Sequence, residues 1–141
     1  MRYSGRMTQT PHFQQLVAAA LDQPTQHRLL FVFAAVELPE DASPEQRERH
    51  RAGRGGALSP LMCVDKAPED LSAFDALAAE AATAGPPWGL VFAAALGGRD
   101  GQPPAKADID RALENMVEAV SNGAFGRFAA FDTDGEPIFF D

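Results

Sequence analysis

Cysteine is nearly missing from this chain: Cys63 stands alone among 141 residues. A single thiol excludes an internal disulfide and a multi-cysteine zinc site, and makes a reducing cytoplasm the expected compartment. Tryptophan occurs once, and Trp88 and the ten phenylalanines read first as core. No apolar run approaches the ~20 residues of a membrane-spanning helix; the longest cover 29–36 and 88–96. Excess positive charge is missing too, and the net charge of −8 speaks against broad binding to nucleic acid or anionic membrane. The first residues lack the apolar core of a signal peptide and read as a frayed leader over 1–8, with Met7 as an alternative start.

What is present suits one folded domain over 9–141, with enough apolar content to bury a core. Phe13, Leu16, Val17, Ala20 and Leu21 recur at helical spacing, which predicts a helix over 11–22 stopped by Pro24. The run 29–36 is apolar without alternation, as in a strand covered on both faces. Ser43, Pro44 and Gln46 form a helix start, and Gly53, Gly55 and Gly56 end that helix early. A second strand is expected over 58–65 and a helix from 68 to about 83, with Leu71, Phe74, Leu77, Ala78 and Ala81 inward. A third strand follows over 88–96. Ile109, Leu113, Met116, Val117 and Val120 mark the clearest amphipathic helix, ended by Asn122-Gly123. A fourth strand over 125–131 turns through 133–136 into a last one over 137–140, where Pro137 demands an edge.

Strands alternating with helices predict a layered α/β fold: a mainly parallel or mixed sheet of four to five strands with flanking helices. A ferredoxin-like arrangement is the alternative. The chain also repeats itself: Val32-Phe33-Ala34-Ala35 recurs as Val91-Phe92-Ala93-Ala94, and Phe13 and Leu16 match Phe74 and Leu77. An internal duplication of an αβαβ unit, over 9–67 and 68–136, accounts for these matches.

In a parallel sheet the loops after the strands share one edge, where ligands bind. Glu37, Asp65, Arg99 and Asp132 would line such a site, with the repeat-related Asp65 and Asp132 close enough to share a proton. Carboxylates there suit a hard cation, but turn and cap roles explain most of them, so no metal and no cofactor is expected. The stretch Gly97-Gly98-Arg99-Asp100-Gly101 lacks the spacing of a phosphate loop, and Pro103 and Pro104 remove donors before the next helix; a mobile connector is the better account. Arg47, Arg49, His50, Arg51 and Arg54 form the one cationic cluster in an acidic chain. Interleaved with Glu45 and Glu48, they read as a solvated helix face and, functionally, as a partner contact. Cys63 lies mid-strand with no histidine nearby in sequence, and is expected to be a packed, inert thiol.

The segments 28–39 and 60–66, together with 85–98, resemble a family of short bacterial proteins, some of which carry the name ribonucleotide reductase alpha subunit. That chemistry requires a thiyl radical and a pair of reducing cysteines, whereas this chain has only Cys63. The resemblance implies a bacterial cytoplasmic protein and transfers no catalytic residue. The expected role is a small non-enzymatic interaction or accessory domain that acts through a protein partner or a second copy. A small-molecule or metal-binding domain, or an enzyme, with its site at the carboxyl ends of the strands is the alternative, and RNA binding through 47–54 ranks last.

Overall fold

The structure, a computed structural model, describes residues 11–37, 44, 57–71 and 73–139. Helix α1 (Pro11–Leu21) is followed by strands β1 (His27–Glu37) and β2 (Ala57–Lys66) and a 3₁₀ turn (Pro68–Asp70). Helix α2 (Phe74–Ala84), strand β3 (Leu90–Gly97), helix α3 (Lys106–Ser121) and the short strand β4 (Ala129–Phe131) complete the described order. None of these helices is long and apolar enough to cross a membrane.

The sheet runs β2-β1-β3-β4, and every neighbouring pair is antiparallel. This corrects the expectation of a parallel or mixed sheet. An unbroken apolar run reports only that both faces of a strand are covered, and helices on both faces meet that condition for either strand direction. The expected fifth strand reduces to one bridge, Phe131 to Pro137, with the Ile138 N–H donating to the Ala130 carbonyl at 2.9 Å.

Alternation along β1 splits the core in two. Leu29, Phe31 and Phe33 point to one face, where Phe13, Val17 and Ala20 of α1 and Phe74, Leu77 and Ala81 of α2 cover them, joined by Val91 and Phe131. Leu30, Val32 and Ala34 point to the other, beneath Ile109, Leu113, Met116 and Val120 of α3, joined by Phe92 and Ala130. The molecule is a three-layer α/β/α sandwich. The helical periodicities expected for 11–22 and for Ile109 to Val120 reappear as these buried stripes. The helix expected to start at 68 breaks instead: Pro68–Asp70 form a 3₁₀ turn, and the α-helix begins only at Phe74.

The same alternation removes the internal duplication. A repeat would equate Val32 with Val91 and Phe33 with Phe92. Yet Val32 and Phe92 lie under α3, while Phe33 and Val91 lie under α1 and α2. Both copies would follow a helix on the same face, so a shift of one residue puts every matched side chain on the wrong side.

Local signals fix the connections. Gly123 sits at φ 79° after α3, with its N–H on the Val120 carbonyl and the Ala124 N–H on the Ala119 carbonyl. That is a Schellman stop, as Asn122-Gly123 predicts. After β3, Asp100 (φ 55°) and Gly101 (φ 77°) form the centre of a type I′ turn closed by the Gln102 N–H on the Arg99 carbonyl at 2.9 Å. Gly98 is obligatory there, because a Cβ would lie 1.7 Å from the Gln102 carbonyl oxygen.

Candidate functional site

Strand β2 forms one border of the sheet, and among the described residues nothing pairs with its outer side. Which of its groups face outward follows from β1. The Ala34 carbonyl accepts from the Gly89 N–H at 2.9 Å and the Gln26 carbonyl from the Gly98 N–H at 3.1 Å, so even-numbered residues of β1 bond toward β3. Backbone direction alternates along a strand, so Leu29, Phe31 and Phe33 bond toward β2. Their register partners Lys66, Val64 and Met62 therefore face inward, and Cys63 and Asp65 turn their N–H and C=O groups outward. Beyond a register shift between Phe33 and Ala34, Pro60 also faces outward, which places its missing donor on the side that needs none.

Cys63 pairs with Val32, so its side chain lies on the α3 face. There α3 overhangs the border. Cys63 and α3 residues Asp110, Leu113, Glu114, Val117 and Glu118 enclose a groove of about 450 Å³. Leu113 and Val117 supply its apolar lining. Asp110, Glu114 and Glu118 stand one helical turn apart and form an acidic rim. Lys106 bonds Asp110 at 2.7 Å; Glu114 and Glu118 have no ion pair among the described residues.

Cys63 is exposed, which corrects the expectation of a packed thiol. The apolar strand around it predicts burial, but β2 is the border strand, and among the described residues no neighbour supplies the missing cover. The thiol remains a poor nucleophile. Partial burial pushes its pKa up, and the Asp110 and Asp65 carboxylates push it further in the same direction.

The four residues expected to share a site do not converge. In an antiparallel sheet the carboxyl ends of neighbouring strands point opposite ways. Asp65 pairs with Leu30, near the start of β1, and Arg99 follows Gly97, which pairs with His27 at the same end. Glu37 closes β1 at the other end, where Asp132 follows Phe131. Strand spacing and residue rise put Asp65 and Asp132 roughly 20 Å apart, too far to share a proton.

Three of the four also have structural partners. Asp65 accepts from Nε and Nη2 of Arg28 at 3.0 and 2.6 Å. Arg99 bonds Asp108 at 2.5 Å, and the guanidinium holds that carboxyl below the usual carboxylate range. Asp132 accepts through Oδ1 from the Asp134 and Glu136 N–H groups at 2.8 and 3.0 Å, closing the turn in which Gly135 takes φ 84°.

Two donors of the glycine-rich loop after β3 bond within the protein, the Gly98 N–H to the Gln26 carbonyl and the Gln102 N–H to the Arg99 carbonyl. Arg47, Arg49, His50, Arg51 and Arg54 lie outside the described residues, as do the leader 1–8 and, apart from Pro44, the helix expected to start at 43. No group of three or more metal-ligating side chains occurs among the described residues.

Sequence reasoning names Cys63 but misses the groove around it. The signal was present in the Asp110, Glu114, Glu118 spacing beside the apolar Leu113 and Val117. It needed one further fact, that β2 is the border strand. Protein-family models, curated proteins and solved structures contain no match to the chain.

Proposed function

We propose that this chain is a small non-enzymatic interaction domain that acts through protein contacts, and that its working surface is the border of β2 beneath α3, with which no described residue pairs. One observation carries the reading: a ten-residue strand presents outward backbone groups beside an apolar, acid-rimmed groove. Unpaired strand borders are templates for pairing with another chain. The separation of Glu37, Asp65, Arg99 and Asp132 disfavours a common small-molecule site, and the raised thiol pKa disfavours nucleophilic work at Cys63. A cytoplasmic setting belongs to the same reading, on the strength of the lone cysteine.

The test is position-dependent photo-crosslinking in expressing cells. A photoreactive group is attached at Glu114→Cys, on the groove rim, or at Gln15→Cys, on the exposed side of α1, each with Cys63→Ser. Discrete protein adducts at 114 and none at 15 are expected. Equal or absent adducts at the two positions overturn the reading.

A further inference from the structure

We infer that the groove takes an extended, basic polypeptide segment that adds to β2 as a further strand of the sheet. This rests on the interaction reading and specifies the chemistry of the partner. Cys63 and Asp65 each turn an N–H and C=O outward that no described residue pairs, so an incoming backbone finds a ladder laid out. Side chains of that segment that point to the α3 face then meet Leu113 and Val117 first and the carboxylates of Glu114 and Glu118 beyond them.

Arginine or lysine fits both layers, because the hydrocarbon stem covers apolar surface while the charged head reaches the rim. The spacings agree as well. Alternate residues of a strand repeat every ~6.8 Å, and residues four apart on a helix every ~6 Å. Two basic residues separated by one position can therefore face Glu114 and Glu118 together.

The same charges argue against a second copy as the occupant. Antiparallel pairing of two β2 strands requires a two-fold axis perpendicular to the sheet, which leaves both α3 helices on one face. The Asp110, Glu114 and Glu118 rims then oppose each other with like charge across the axis.

The test titrates the 15N-labelled full chain with a capped peptide of three Val-Arg repeats, followed by NMR. Saturable binding is expected to shift the amides of Cys63 and Asp65. N-methylation of the peptide donors should weaken it about tenfold, since the ladder bonds are lost. Glu114→Gln with Glu118→Gln should weaken it about fivefold at low salt, while leaving the spectrum of the free protein unchanged elsewhere.

Equal binding of the N-methylated peptide overturns strand addition, and equal binding to the doubly neutral variant overturns the acidic rim. No binding at millimolar peptide, or a dimer paired through β2, overturns the inference as a whole. Failure of the peptide with crosslinking at 114 intact removes this inference alone, whereas loss of the position-dependent crosslink removes the interaction reading beneath it.

Discussion

The two faces of the sheet are built differently. Under α1 and α2 the core is aromatic: Phe13 meets Phe74 at 5.3 Å and Phe131 at 5.8 Å, both edge to face, with Phe31 and Phe33 alongside. Under α3 it is mainly aliphatic, with Phe92 the one fully buried ring there among the described residues. Two helices close the first face. On the second, α3 is the one helix among the described residues, and of these only its flank lies over the outer strip of β2. The aromatic face packs rings from both helices and the sheet together, and the aliphatic face carries the groove between Cys63 and α3.

Truncating both sides tests that division. Phe13→Ala removes a fully buried ring from the junction of α1, α2 and the sheet, and should cost about 4 kcal/mol in urea unfolding. Leu113→Ala, at 9% exposure on the groove lining, should cost about 2 kcal/mol, because water can enter the space left behind. Equal losses would erase the distinction between the faces.

The ion pairs that tie β2 to its neighbours sharpen the comparison on a smaller scale. Arg28 and Asp65 are each about one-third exposed and share two hydrogen bonds, whereas Glu80, the partner of Lys66 on α2, is half exposed. Arg28→Met should destabilise by about 0.8 kcal/mol and Lys66→Met by about 0.3 kcal/mol.

The smallest effect is kinetic. With its pKa raised, Cys63 holds less thiolate at pH 8 than an ordinary cysteine and should alkylate more slowly than an unstructured thiol. Asp110→Asn removes one of the charges that raise the pKa and should speed alkylation at the same pH. An unchanged rate would mean that the acidic rim does not reach the thiol.

Much of this was legible before any coordinates. Phe13, Val17 and Ala20, and Ile109, Leu113, Met116 and Val120, announce their helices because burial on one side imposes a period of 3.6 residues. Asn122-Gly123 and the turn at 133–136 announce their stops because only certain residues accept positive φ. Strand direction was not legible, since no residue type distinguishes a parallel from an antiparallel neighbour when both faces are covered. The apparent repeat misled for a related reason: short phenylalanine and alanine words suit either face, and only the register shows that Phe33 and Phe92 look opposite ways. Cys63 was misplaced because burial depends on a strand's position in the sheet, which its own sequence does not encode.

Pro60 and the register shift beside it have a consequence for what happens after one strand is added. A flat, uninterrupted border would let copies stack without end, as in cross-β growth. Here the outward ladder loses a donor at Pro60, and the bulge at Leu61 interrupts the register directly after it. The regular register is thereby split into two short stretches, Met62–Lys66 and Ala57–Pro60, each long enough for a short guest and too short to seed a fibre. On the proposed reading, the same imperfection that admits one added strand keeps a second and a third from following in register.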